Sequence, residues 1–251
     1  MAKTGISIEE HGDTSMREFP LLSKIAFWFS VWAATIFSKI YWHWSIDGNK
    51  DAWYNPRGEK GRVLIANHAS MLDPVILISD LSIHGRRVRP LYKNDLDKVS
   101  FITRFFARIG AISLARGTAD TKAIRRAVNA IKRGEDVLIF PEGTRVRSYK
   151  DGYPEIFGGF SVIAQMGGCD ILPAGIEGTQ YICPSGHGFC RPSRVYVRYG
   201  EALDVENVQG ASRKEKAQKL EKLAMDTVYG LCNSIRAEHG KEPLVEITES
   251  E

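Results

Sequence analysis

Two short, wholly apolar runs constrain this chain most: Val63-Leu64-Ile65-Ala66 and Val137-Leu138-Ile139-Phe140, each followed at once by polar, turn-forming residues. A strand with one wet face alternates apolar and polar residues, whereas a run with no polar position is covered on both faces. Around these two runs, strand and helix patterns alternate. A helix is predicted over 74–82, a strand over 88–92, a helix over 98–108 and a strand over 111–114. The next helix is capped by Asp120 or Thr121, runs to Lys132 and stops at Gly134. A helix over 159–166 and strands over 171–176 and 195–199 follow. The last helix opens on Ser212-Arg213-Lys214-Glu215, which has capping-box spacing, and Ala217, Leu220, Ala224, Val228, Leu231 and Ile235 form its core stripe. The fold class is therefore α/β: a mixed sheet flanked by helices, preceded by an N-terminal helical membrane-interface segment.

That segment is short for a span. Residues 1–18 are polar and read as loosely ordered. Between Lys24 and Lys39 lie fourteen uncharged residues, roughly 21 Å of helix against a hydrocarbon core of about 30 Å. Trp28, Trp32, Tyr41, Trp42 and Trp44 belong to the same region, and such rings favour the headgroup level. The expectation is a helix, or a pair, lying in one leaflet; a core-packing helix and a tilted span are the alternatives. Residues 1–50 are assigned to this segment and 51–251 to a catalytic domain. Four scattered cysteines make no disulfide framework, and no small-residue cleavage site closes the apolar run, so free thiols in a reducing compartment are expected. Between residues 86 and 133 thirteen Lys/Arg face three Asp/Glu. This predicts a basic surface, either solvated helix faces or an attraction to anionic lipid or a phosphorylated substrate. Nucleic acid is the weaker third reading, with no zinc finger, RNP motif or basic leucine-zipper region to support it.

Each of the two apolar runs leads into a motif. Asn67-His68-Ala69-Ser70-Met71-Leu72-Asp73-Pro74 sets an imidazole five residues before a carboxylate. On one helix the two would lie about 140° apart. Pro74 is expected to push Asp73 out of the α region, so that Asp73 caps the helix while His68 sits in the preceding turn. A carboxylate on one ring nitrogen leaves the other free to take a proton from a hydroxyl. Asp73 as a plain cap and His68 as a turn residue is the competing reading. In Phe140-Pro141-Glu142-Gly143-Thr144-Arg145, Gly143 allows a tight turn with exposed backbone N–H groups. Thr144 adds a hydroxyl, and Arg145 a fork suited to phosphate. A solvated turn is the bland alternative. Arg116 follows the strand ending at Ala115 and joins the phosphate-clamp candidates, as does Lys93 after Leu91-Tyr92. Ser70 raises a rival Ser–His–Asp hydrolase, without any Gly-x-Ser-x-Gly elbow to support it. Cys183, His187 and Cys190 lack common zinc spacing.

Taken together and in order, these blocks resemble the glycerolipid acyltransferases of the PlsC type, over about residues 60–205. The residues concerned are Asn67/His68/Asp73, Ile112 to Arg116, Glu142 to Arg145, Ile171-Leu172-Pro173-Ala174-Gly175-Ile176 and Arg198-Tyr199-Gly200-Glu201. Leu114 and Ala115 depart from the Phe and Asp that the family often has before its Arg. The resemblance implies transfer of a fatty acyl group from acyl-CoA or acyl-carrier protein to the hydroxyl of lysophosphatidic acid, giving phosphatidic acid. It implies no metal and no bound cofactor. His68 would be the base and Asp73 its orienting acid. Arg145 and Arg116, with Gly143 and Thr144, would hold the phosphate, and Glu142 the acceptor's glycerol or Arg145 itself. Oxyanion donors are expected among the backbone N–H groups near the helix start. It further implies an N-terminal helical pair and a place on the cytoplasmic face of the inner (plasma) membrane. Other readings are transfer to glycerol-3-phosphate, another lysophospholipid or an ornithine-type lipid, the Ser70 hydrolase, and a non-catalytic membrane scaffold.

Overall fold

A computed structural model of the chain describes residues 8–54, 60–93, 100–115, 120–146, 149, 152–182 and 191–247. A seven-stranded sheet runs through them. Its strands are β1 (Ser45–Gly48), β2 (Val63–Ala66), β3 (Val88–Lys93), β4 (Ile112–Leu114), β5 (Asp136–Ile139), β6 (Ile171–Glu177) and β7 (Tyr196–Tyr199). The order across the sheet is β1-β7-β6-β2-β5-β3-β4. Strands β2 to β6 are parallel, β7 is antiparallel to β6, and β1 is parallel to β7. The helices are α1 (Ile8–Asp13), α2 (Leu21–Tyr41), α3 (Asp73–Ile83), α4 (Ser100–Arg108), α5 (Thr121–Lys132), α6 (Gly159–Gly167) and α7 (Arg213–Glu238).

The apolar runs behave as their composition demands. Every residue of β2 is buried, and successive side chains enter opposite layers. Leu64 and Ala66 join Leu138, Leu172, Ala174 and Ile176 beneath α2 and α3. Val63 and Ile65 join Val137 and Ile171 beneath α5, α6 and α7. Gly175 lets α7 lie directly on β6: a Cβ there would meet Cys232 N and Leu231 Cβ at 2.8 Å.

Four expectations change. Residues 8–18 are ordered, because the protein supplies partners for them. Met16 N and Ser15 Oγ donate to Glu135 Oε1, and Arg89 donates to the carbonyls of His11 and Thr14. The apolar segment is one unbroken helix, as its composition suggested, and not the pair that the resemblance implied. Its Ser23, Phe27, Val31, Thr35 and Ser38 are buried, while Leu22, Ile25, Phe29, Trp32, Ile36 and Ile40 are exposed. Ser45–Gly48, read as part of the N-terminal segment, pairs with β7 at the sheet edge. The expected basic surface is partly consumed. Arg86 grips Asp136 with two hydrogen bonds, Arg89 pairs with Glu135 at 2.7 Å, Arg126 with Asp13 at 2.8 Å and Arg133 with Glu135 at 3.5 Å. These pairs cluster where the parallel strands begin; both sequence motifs lie at the opposite edge, where the strands end.

Candidate active site

The site grows from the turn that leaves β2. The β2–β6 pairing closes at Ala66 and Ala174, and the Asn67 side chain then extends it. Asn67 Nδ2 donates to Ile176 O, and Ile176 N donates to Asn67 Oδ1, both at 2.8 Å. An amide side chain thus replaces a peptide group where the main chain turns away. Next comes His68, whose Nδ1 lies 2.9 Å from Asp73 Oδ2. The same oxygen accepts from Ala69 N and Ser70 N, each at 2.7 Å. Asp73 is fully buried, and His68 is 16% exposed. The His68 ring stacks on Phe140, centroids 4.1 Å apart. Since a carboxylate accepts, Nδ1 carries the proton and Nε2 keeps a lone pair. Among the described residues Nε2 has no hydrogen-bond partner.

Asp73 is therefore not the helix cap it was expected to be. It is the first residue of α3, with Leu72 in the cap position and Pro74 at the start of the helix. Its side chain reaches back to the turn instead of forward into the helix. That choice removes the amides of Ala69 and Ser70 from the pool of oxyanion donors; the Leu72 amide is taken by Ser70 Oγ at 3.3 Å. Of the amides from Ala69 to Leu72, the Met71 N–H makes no hydrogen bond among the described residues. Ser70 Oγ makes none to His68, which leaves the Ser–His–Asp arrangement unformed.

The second wall follows β5. Gly143 has φ +62°, and a Cβ on it would stand 2.6 Å from the Phe157 ring, so the turn needs glycine. Its N–H is not free for an anion as expected: it donates to Phe140 O, and Thr144 N donates to Glu142 O. Glu142 also departs from its expected place. It is 2% exposed, and its carboxylate is engaged by protein donors rather than by Arg145. Oε2 accepts from His68 N at 2.8 Å, and Oε1 from Tyr149 Oη at 2.6 Å and Tyr229 Oη at 2.9 Å. Burial pushes the Glu142 carboxyl above the ordinary glutamate range, and these three donors pull it partly back. Val146 N donates to His68 O at 2.7 Å, so the His68 residue is clasped by this segment at both its amide and its carbonyl.

Arg145 sits one residue from that clasp; it and Thr144 are exposed. Arg145 has no hydrogen bond or ion pair among the described residues. Lys93 ends β3, with β5 between it and β2, about 10 Å across the sheet from β2. Arg116 lies outside the described residues, as do Cys183, His187 and Cys190. A cavity of about 1210 Å³ lies elsewhere: Lys60, Arg62, Asp170, Arg213 and Lys214 line it at the edge where the strands begin. Sequence reasoning missed Phe140, Tyr149, Tyr229 and Cys232. One signal was available for Tyr229, which adjoins Val228 of the core stripe of α7, where a buried phenol must find an acceptor.

The geometry defines a class: an α/β domain whose central strand delivers an acid-held imidazole to the sheet edge, beside an exposed guanidinium. The profile of the acyltransferase family matches residues 49–177, just over half of the chain, and the chain belongs to that family. Among curated relatives, a chloroplastic 1-acyl-sn-glycerol-3-phosphate acyltransferase of Brassica napus is 28% identical over 60% of this chain and 44% of its own length. A chloroplastic one of Arabidopsis thaliana is 30% identical over 52% and 36%. The chain thus spans less than half of these two relatives. The 1-acyl-sn-glycerol-3-phosphate acyltransferase of Bacillus subtilis is 24% identical over 72% of this chain and 86% of its own. The crystal structure of PlsC, the 1-acyl-sn-glycerophosphate acyltransferase of Thermotoga maritima, shares the fold. Its TM-score is 0.59 at 23% identity, over 83% of this chain and 79% of that one.

Proposed function

We propose that this protein transfers a fatty acyl group from a thioester to the free hydroxyl of 1-acyl-sn-glycerol-3-phosphate, forming phosphatidic acid. The observation that carries the reading is the His68–Asp73 pair, with Nε2 unbonded among the described residues and Arg145 one residue from the clasp on His68. The names of the relatives add the substrate class. In the proposed reaction Nε2 takes the acceptor's hydroxyl proton as the oxygen attacks the thioester carbonyl. Asp73 stabilises the imidazolium. The Met71 N–H, which makes no hydrogen bond among the described residues, is the amide of the turn left to receive the oxyanion. The new ester C–O bond forms, the C–S bond breaks, and the proton passes from His68 to the departing thiolate. Arg145, with Arg116 and Lys93, binds the acceptor phosphate. The scheme needs no metal or bound cofactor; coenzyme A or a carrier protein is the leaving group.

We place the protein on the cytoplasmic face of the membrane, with α2 lying along it. By length and composition α2 could cross a bilayer. Its stripe of Ser23, Phe27, Val31, Thr35 and Ser38 is buried within the protein, however, and a spanning helix would draw the packed α3 into the hydrocarbon with it.

The test is an acyl-transfer assay of detergent-solubilised protein with lysophosphatidic acid, glycerol-3-phosphate and other lyso-acceptors. Each acceptor is paired with CoA and carrier-protein thioesters. Phosphatidic acid is the expected product, and His68→Ala should lower its rate roughly a hundredfold or more. Arg145→Ala should raise KM for the phosphorylated acceptor and leave that for the thioester unchanged. Release of free fatty acid at the same rate with or without acceptor would overturn the transfer reading.

A further inference from the structure

We infer that Tyr149 and Tyr229 are positioning residues, which hold His68 in register through the Glu142 carboxylate. The inference rests on the reading of His68 as the base. A general base needs more than the correct tautomer; its Nε2 must be aimed to within a fraction of an ångström. Asp73 and Phe140 set the plane of the His68 ring. The backbone that carries the ring has two restraints: Val146 N on the carbonyl, and Glu142 Oε2 on the amide. A carboxylate can restrain an amide only if the carboxylate is itself immobile. Its other oxygen is pinned by two phenols from separate parts of the chain: Tyr149, seven residues on, and Tyr229, from the middle of α7. The two rings meet edge to face, centroids 5.7 Å apart, and Tyr153 packs edge to face on Tyr229 at 5.0 Å.

The neighbouring residue repeats the device. Cys232, three residues after Tyr229 and on the same face of α7, lies with Sγ 3.3 Å from Asn67 Oδ1. One helix face therefore braces Asn67 and, through Glu142, His68, from the layer of the sheet opposite α3. None of these three side chains is a candidate for touching substrate: Glu142, Tyr229 and Cys232 are buried at 2%, 0% and 0% exposure. The groups facing the Glu142 carboxyl are Tyr149, Tyr229, His68 and, more distantly, Cys232. All are donors or neutral thiol, so ionised Glu142 is the state the cage is built for.

Two measurements on the full-length protein test this. With histidine labelled at its amide nitrogen, the His68 N–H resonance reports its bond to Glu142 directly. In Tyr229→Phe and Tyr149→Phe it should move upfield, and its titration midpoint should move to higher pH, because the hydroxyls that favour the carboxylate are gone. In the acyl-transfer assay each variant should lose about tenfold in kcat, as expected for a lost hydrogen bond to a charged group, with KM for both substrates unchanged. The double variant should lose less than the product of the two single losses. A His68 amide with unaltered shift and midpoint in both folded variants would overturn the inference, and so would a rise in KM at unchanged kcat. Were the wild type inactive with every acceptor, the functional reading would fall, and the amide measurement would still decide whether the tyrosines hold the brace.

Discussion

At the scale of single residues, Asp73 does more than orient an imidazole. One oxygen serves His68 and two backbone amides, so the carboxylate both shapes the turn and fixes the tautomer of the ring. Asp73→Asn presents one acceptor oxygen of similar reach but no negative charge. The variant is expected to fold and to lose at least roughly a hundredfold in kcat, since an uncharged partner leaves the imidazolium unsupported; retention of near wild-type kcat would reduce Asp73 to a turn residue. Asp80 poses a different question. Its Oδ2 accepts from Trp53 Nε1 at 2.8 Å and Tyr199 Oη at 3.1 Å, and burial raises its carboxyl above the ordinary aspartate range. A raised folded pKa means that this group's contribution to stability is complete below the unfolded value and is lost as pH rises through the folded one. Asp80→Asn does not titrate, so its melting temperature should gain on the wild type between pH 4 and pH 7. Thermal scans at both pH values decide it, and a constant difference would refute it. The His68–Asp73 pairing was legible because both partners lie within six residues. Glu142 was not: its partner Tyr229 is 87 residues away, and nothing local to Glu142 distinguishes a buried brace from a substrate contact.

At the scale of elements, strands were legible where covering layers force a continuous apolar run, as in β2 and β5. Strand β1 offers no such signal. Its Ser45-Ile46-Asp47-Gly48 is largely exposed, and it exists because β7 supplies a ladder and Arg198 grips both Asp47 and Glu238. Helix α2 was legible in composition but not in facing. Its apolar residues continue around the circumference, and only tertiary packing reveals which of them meet α3. The two faces make opposite predictions. Phe29→Glu with Trp32→Glu, on the exposed face, should abolish sedimentation with anionic vesicles and leave the thermal transition within about 2 °C of wild type, as surface changes commonly do. Val31→Glu, on the buried face, should cost stability by roughly 3 kcal/mol or more, the penalty of an unpaired buried charge. Equal vesicle binding by the doubly substituted protein would remove α2 from the membrane.

At the scale of the whole molecule, the sheet divides its polar groups between its two edges. Where the parallel strands begin, Arg62, Arg86 and Arg89 meet Asp136 and Glu135 in buried pairs that also tie down residues 11–16 and, through Arg62, the carbonyls of Asp51 and Ala52. Removing one partner leaves the other charged and buried. Glu135→Gln should therefore destabilise the protein by about 3–5 kcal/mol, read from urea unfolding, while kcat of the folded fraction stays unchanged. Loss of kcat in folded protein would show the edges to be coupled. These pairs explain why the dense arginines after residue 86 misled a reading from composition: charge content is visible in a sequence, but its neutralisation by residues 13, 135 and 136 is not. The separation has a consequence for how such a scaffold diversifies. The arginine clamps lie at one rim and the candidate site at the other, so the loops that border the site can be lengthened or exchanged without unpicking the clamps. A lineage, or an engineer, can reshape the rim beside His68 while inheriting the foundation intact.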